Sequence, residues 1–305
     1  MYSLGSMMWL VRYFFVSQTV LLLWSGDIVT HAIHWPSISI VVPTCYFRHK
    51  FHSRVISMFQ HQTYLGDMEL IVHDGACGKT NSFKSALSYI MIEAADKDPR
   101  IKYYFDKQTS RSGRGEVMTI GAKRNFLLNK VATALVANFD DDDYYSPHYV
   151  EEMVTHLIQN DADMIKLNGW FTYGIAKDIT IEGENPLGLW YSDFSETNYI
   201  GWGWSLVFKI QLFGEFSYSD LMEGEEDKFV SSVEKSQYKL HHFGDENFIA
   251  LRIVTQSVVR ATGIPPPVSR SGKKICNRYH IPIFYLPKGY GETVEPWLRM
   301  WNFKE

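Results

Sequence analysis

The chain has 305 residues, of which 46% are hydrophobic, 15% aromatic and 21% charged, enough apolar material for one sizeable core and unlike a fibrous or disordered chain. A formal net charge of -4 and a pI near 6.3 exclude a broad basic face, and with it nucleic acid as a partner, while leaving room for a local basic pocket that holds a small anion. Cys45, Cys77 and Cys276 are too few and too dispersed for a disulfide framework or a paired-cysteine zinc site, so buried thiols are the expectation.

Residues 7–24, M-M-W-L-V-R-Y-F-F-V-S-Q-T-V-L-L-L-W, are mostly apolar but interrupted by Arg12, Ser17 and Gln18. The clean stretch from Tyr13 to Trp24 is short of the roughly 20 residues that span a bilayer. A signal peptide, a weak signal anchor and an amphipathic surface helix all fit. Membrane association through residues 1–35 and a cytoplasmic or secretory-pathway location therefore stay open.

From Ser37 onward, apolar strand-like runs alternate with helix-like segments, the pattern of an α/β domain with a mostly parallel sheet. The strands expected are Ser37–Pro43, Met68–Asp74, Ile101–Phe105 and Thr133–Asp140. A helix follows, with Ser146 at its N-cap, Pro147 in its first turn, and Tyr149, Val150, Met153, Val154, Leu157 and Ile158 forming an apolar stripe. Residues 162–173 and G-L-W-Y-S-D (188–193) read as strands, and W-S-L-V-F-K-I-Q-L-F (204–213) as a helix. The Pro- and Gly-rich run from Gly263 reads as the start of a C-terminal extension, 263–305, after a domain over 36–262 that divides near residue 145.

The run N-F-D-D-D-D-Y-Y-S-P (138–147) puts four carboxylates at the end of an apolar strand, in a strand-to-helix turn. Ligands of open α/β sheets gather at the carboxyl ends of strands, and Asp74 ends the second strand in the same way. Strand alternation sends Asp140 and Asp142 to one side and Asp141 and Asp143 to the other. A carboxylate pair at that spacing suits magnesium or manganese bridging to a diphosphate. A solvated acidic turn is the bland reading, but four successive acids repel one another unless a cation offsets them.

These residues resemble family 2 glycosyltransferases. F-D-D-D-D-Y-Y-S-P, preceded by G-A-K-R-N-F-L-L-N-K-V (121–131), is similar to that family's helix, strand and Asp-x-Asp segment; S-I-V-V-P-T-C-Y-F-R (39–48) resembles its opening strand and turn, Q-H-Q-T-Y-L-G-D-M-E-L-I-V-H-D-G-A (60–76) its second strand, and G-E-E-D-K-F-V (224–230) its acceptor-side helix. The resemblance covers about residues 37–230 in the family's order.

It implies a GT-A type, Rossmann-like sandwich with an acceptor-side α+β portion, catalysing non-processive, inverting transfer from a UDP- or GDP-sugar to an acceptor hydroxyl with Mn2+ or Mg2+. Pro43, Thr44 and Tyr46 would line the nucleobase and ribose pocket, with Asp74 accepting from the base. Asp142 would bind the metal, with Asp140 shared between metal and ribose and Asp143 in support. Lys123, Arg124, and Arg111 or Arg114 would meet the diphosphate. Asp227 matches the general base, its pKa raised beside Glu223, Glu225 and Glu226; Glu226, Trp202 and Trp204 are candidates for the acceptor side, with core packing the alternative for the tryptophans.

His73 and Cys45-Tyr46-Phe47 depart from the family's pattern, and His241 and His242 are weak candidates for a late metal ligand. No Gln-x-x-Arg-Trp motif is present, which argues against a processive synthase. The stretch H-D-G-A-C-G-K-T (73–80) lacks the first glycine of a phosphate loop. Rival readings are an inactive nucleotide-sugar-binding module and an Asp-nucleophile phosphohydrolase.

Overall fold

The computed structural model describes residues 15–16, 19–24, 27–32, 35–75, 87–106, 118–174, 188–193 and 203–254. Three short strands come first: β1 (Phe15–Val16), β2 (Thr19–Trp24) and β3 (Asp27–Ala32) form an antiparallel sheet of their own. This stretch is thus extended rather than the surface helix considered above. The β-branched residues Thr19, Val20, Ile28, Val29 and Thr30 suit extended backbone. Among the described residues no helix is long and apolar enough to cross a membrane.

The main body alternates as expected: β4 (Ile38–Cys45), a 3-10 turn (Tyr46–Phe51), α1 (His52–Gln60), β5 (Met68–Gly75), α2 (Tyr89–Lys97), β6 (Ile101–Phe105), α3 (Ile120–Leu128) and β7 (Leu135–Asn138). β4 pairs in parallel with β5 on one side and β7 on the other, and β5 pairs in parallel with β6. Both faces of this half are covered, which is why its strands read as unbroken apolar runs. Ile38, Ile40 and Val42 join one core with Leu70, Val72 and Ala137, while Val41 joins the other with Ile71 and Val136. Each such isoleucine, valine or leucine contributes about 1.5–3 kcal/mol on burial.

The second half departs from a mostly parallel sheet. It contains β8 (Tyr144–Tyr145), α4 (Tyr149–Gln159), β9 (Met164–Gly174), β10 (Gly188–Asp193), β11 (Leu206–Lys209), α5 (Gln211–Glu215), α6 (Glu225–Glu234), β12 (Leu240–Gly244) and β13 (Ala250–Val254). β11 lies antiparallel between β7 and β9, whereas β12 and β13 pair in parallel with successive parts of β9. The strand order is β6-β5-β4-β7-β11-β9-β13-β8, with β10 on β9 as well. The result is an α/β fold with one mixed sheet and flanking helices.

Two local expectations change. Residues 204–213 are no single helix: a 3-10 turn (Gly203–Ser205) leads into β11 and then α5. Leu206 and Phe208 bury fully in one core and Val207 in the other, so two-sided burial rather than helical periodicity set the pattern. In α4, the chain turns twice more before the helix: Ser146 Oγ accepts from the amide of His148, which becomes the N-cap. The apolar stripe is buried as expected up to Leu157, and Ile158 is exposed.

Cys45, at the end of β4, is disulfide-bonded rather than a free buried thiol; Cys77 and Cys276 lie outside the described residues. A disulfide here pins the chain where β4 enters the 3-10 turn. Titration of the unfolded, unreduced protein should therefore find one free thiol among its three cysteines. A count of three would remove the crosslink.

Candidate active site

Because β4 lies between β5 and β7, their carboxyl ends deliver Thr44, Asp74 and the turn after Asn138 to one edge. The turn is fixed from beneath. Phe139 stacks on Tyr145 with ring centroids 3.7 Å apart, and the Tyr145 hydroxyl accepts from the amide of Asp140 at 2.8 Å while donating to the carbonyl of Trp204.

The four aspartates are divided among three arginines. Arg124 Nη2 donates to Asp140 Oδ1 at 2.8 Å, Arg252 Nη1 to Asp143 Oδ2 at 2.9 Å, and Arg48 Nη1 reaches both Asp141 and Asp142, the latter at 3.0 Å. Thr44 donates to the other oxygen of Asp141, and the amide of Ile253 to the other oxygen of Asp143. Burial pushes Asp141 up to about 6 against the pull of Arg48, and pushes Asp143 well up despite Arg252. At Asp140 burial acts in the same sense but is outweighed by Arg124, Arg252 and Arg48, which hold it below the usual carboxylate range.

Asp140, Asp142 and Asp143 each offer one oxygen, all within 4.8 Å of one another. Oxygen donors at that spread fit a hard divalent cation with bonds of about 2.0–2.6 Å. Asp143 has both oxygens engaged, so Asp140 and Asp142 are the freer donors.

A second group surrounds Asp74, which is fully buried. Its Oδ2 accepts from His49 Nε2 and from the Tyr103 hydroxyl, each at 2.7 Å. Its Oδ1 is buried with no hydrogen-bond partner among the described residues, an acceptor free for a ligand N–H. Nearby, Thr44 gives its proton to Asp141 and so accepts from His52 Nε2, which fixes the His52 tautomer and makes its Nδ1 the acceptor for Ser88. Burial, then the neighbouring His49, lowers the His52 pKa to about 3, keeping the ring neutral.

Lys123 and Arg124 leave α3 in different directions. Lys123 Nζ donates to the carbonyl of Thr44 at 2.7 Å and lies across Gly75, where an added Cβ would meet its Cε at 3.3 Å. Burial lowers its pKa to about 8, opposed by Asp74 and Asp141. Arg124 Nε donates to Glu225 Oε1 at 3.0 Å on α6, so one guanidinium serves both the half-buried Asp140 and the buried Glu225. Burial, relieved by Arg124 and aggravated by Glu226, pushes Glu225 up to about 7. Glu226 is buried and accepts from the amide of Gly203 at 2.9 Å.

The sequence matches the family described as Glycosyl transferase family 2 over residues 39–211, more than half of the chain. The chain belongs to glycosyltransferase family 2. No curated protein matches it. Among solved structures it is similar in fold to S. aureus TarS 1–349, with a TM-score of 0.50 and 14% identity over 71% of this chain and 60% of that one. A longer TarS structure aligns with a TM-score of 0.50 and 15% identity over 72% of this chain and 37% of TarS, and TarS 1–349 in complex with UDP aligns with a TM-score of 0.50 and 14% identity over 72% and 60%. The chain thus spans at most 60% of the length of these proteins.

In this family 2 chain, Thr44, Asp74, Lys123, Arg124, Asp140 and Asp142 gather at one sheet edge, with Pro43 half-buried on β4 and Tyr46 opening the 3-10 turn. Asp227 sits in the first turn of α6 and is exposed, while Glu225 and Glu226 turn inward. Trp204 is fully buried, edge-on to Trp170 at 5.9 Å, so it takes the packing alternative and offers no face to an acceptor. His73 packs on Phe126 at 4.6 Å inside the fold. His241 and His242 stand on β12 and lie outside the two potential metal-ligand groups found among the described residues. Arg111, Arg114 and Trp202 are outside the described residues. Alternation did not survive the strand's early end at Asn138, since Asp143 joins Asp140 and Asp142.

Sequence reasoning missed Arg48, Arg252 and the Glu225 clamp, whose partners are 93 to 110 residues away or in another element. The clamp has a measurable sign. The folded pKa of Glu225 lies above the ordinary value near 4.5, so its contribution is present below about pH 4 and is lost as pH rises through about 7. Urea midpoints should fall between pH 5 and pH 8, and Glu225→Gln should flatten that fall while keeping an acceptor for Arg124. An unchanged slope in the variant would assign the pH dependence elsewhere.

Proposed function

We propose that the chain transfers a sugar from a nucleotide-diphospho-sugar to an acceptor hydroxyl, with divalent-metal dependence and inversion at the anomeric carbon. The observation that carries this reading is the meeting of Asp74, with its unpartnered buried oxygen, and the Asp140–Asp142 oxygens at the carboxyl ends of adjoining parallel strands. Family membership removes the phosphohydrolase alternative. A UDP donor is supported by the UDP complex of TarS, which shares the fold.

In this reading Asp74 accepts an N–H of the base, and Thr44 and Pro43 border the nucleoside. Asp142 and Asp140 hold Mn2+ or Mg2+, which supplies charge neutralisation for the departing diphosphate. Lys123 and Arg124 add positive charge at the same edge, Arg124 through an Nη1 that is buried without a partner. Asp227 takes the acceptor's proton. The acceptor oxygen then bonds to the anomeric carbon as the bond from that carbon to the diphosphate oxygen breaks, and the electron pair leaves with the nucleoside diphosphate.

A second assignment of the base, Glu226, is favoured by its burial and by the Gly203 amide that orients its carboxylate. The Cys45 disulfide favours an oxidising compartment such as the secretory pathway among the locations left open. Transfer of a single sugar is supported by the absence of a Gln-x-x-Arg-Trp motif.

The test is a panel of UDP- and GDP-sugars with Mn2+, scoring nucleoside diphosphate release and product configuration. Asp142→Ala should lower kcat/KM at least about 100-fold. Whichever of Asp227→Asn and Glu226→Gln removes the base should lower kcat by about 100- to 10,000-fold with nucleotide binding retained. Retention of configuration would sink the single displacement. Metal-dependent nucleotide binding without turnover across all acceptor classes would favour the binding-module reading instead.

A further inference from the structure

The three arginines on the acidic turn are not equivalent. The Arg124 and Arg252 side chains are 3% and 9% exposed and stand on regular elements, α3 and β13, each bonded to an aspartate of the turn. Arg48 stands on the short turn between β4 and α1 with 28% of its side chain exposed. It bridges Asp141 and Asp142, and Asp141 has Thr44 as a second partner. Asp140 and Asp143 are held by the two buried arginines, and of the two carboxylates on Arg48 it is Asp141 that Thr44 also holds, which leaves Asp142 the more dependent on the exposed cation. A divalent cation entering among Asp140, Asp142 and Asp143 meets the Arg48 guanidinium already on one of its ligands, and two cations on one carboxylate repel. A diphosphate offers that guanidinium an alternative forked partner of higher charge.

We propose that Arg48 is a diphosphate ligand that serves as the internal counter-ion of Asp142 until donor arrives, so that nucleoside diphosphate and divalent cation bind with positive coupling. Transfer of Arg48 from Asp142 to phosphate frees the carboxylate for the cation, and by reciprocity the cation raises affinity for the nucleotide by the same factor. The inference rests on the preceding assignment of Asp142 as a cation ligand. It gives a role to the last residue of the S-I-V-V-P-T-C-Y-F-R run, on a segment whose start is crosslinked at Cys45.

The test is Mn2+ binding to the full chain, read from the loss of the free-ion paramagnetic resonance signal, without nucleotide and with saturating UDP or GDP. Wild type should bind Mn2+ at least tenfold more tightly with nucleotide than without. Arg48→Met should bind Mn2+ alone at least tenfold more tightly than wild type, bind the nucleoside diphosphate more weakly, and show coupling reduced at least threefold from that of wild type. An Arg48→Met protein with native near-ultraviolet circular dichroism, unchanged Mn2+ affinity and unchanged coupling would overturn the proposal. Should that variant fail to fold, Arg48→Lys decides the matter: its point charge cannot bridge both aspartates, so Mn2+ affinity above wild type supports the exchange and equality overturns it. Asp142→Ala separates the two levels of the argument. Mn2+ binding that survives it removes Asp142 from the cation site and the parent reading with it, whereas binding lost there but unaltered by Arg48 substitution overturns only the role given to Arg48.

Discussion

Arg48, Arg124 and Arg252 converge from the turn after β4, from α3 and from β13 on four successive aspartates. Collecting buried carboxylates costs desolvation and mutual repulsion, and only opposite charge at hydrogen-bonding distance offsets both. Each guanidinium is delivered by a different element, so the acidic turn reaches its native form only when all three are docked on the sheet. Much of the long-range topology is therefore written into the charge balance of one turn. The repulsion that sequence alone assigns to an external cation is met here largely by the protein itself.

The run G-A-K-R-N shows how one helix serves this balance. A Cβ on Gly121 would lie 1.8 Å from the carbonyl oxygen of Ser219, so only glycine lets the 218–221 segment approach α3 so closely. Asn125 then bonds the main chain of Tyr218 through both ends of its amide, and the Tyr218 ring in turn lies beneath the Arg124 guanidinium. With that segment fixed, the acidic start of α6 comes within reach and Glu225 meets Arg124. Lys123, one residue earlier, points to the opposite neighbour and closes over Thr44 and Gly75. Adjacent helix positions thus join the end of β4 at Lys123 and the start of α6 at Arg124.

What the sequence discloses follows the range of the interactions that decide it. β4, β5 and β6 are legible because two-sided burial leaves continuous apolar runs, and Asp74 and the aspartate turn are legible because they end such runs. The same signal misleads at 204–213, where a strand buried on both faces carries too little alternation to be told from a helix. The antiparallel insertion of β11 between β7 and β9 has no local mark at all. Arg48 and Arg252 are ordinary surface arginines by sequence, and become site residues only because the fold spans about 100 residues to bring them to aspartates. His73 is the converse case: it sits inside a motif, yet its ring belongs to the packing against Phe126.

A cluster neutralised completely would be most stable and least able to take a ligand. Here the compensation is graded. Asp143 is satisfied by a buried arginine and a backbone amide, Asp140 by a buried arginine shared with Glu225, Asp141 by a hydroxyl and Arg48, and Asp142 by the same Arg48 from the open side. Four carboxylates share three guanidiniums, so full ionisation leaves a negative charge unmatched. The shortfall falls where the partner is most exposed, because exchanging a solvent-facing arginine costs less than uncovering a buried one. Stability thus resides in the pairs made by the two buried arginines, and the proposed exchange of cation and diphosphate is placed at the rim, on Asp142, while Asp141 keeps its bond from the Thr44 hydroxyl when Arg48 leaves.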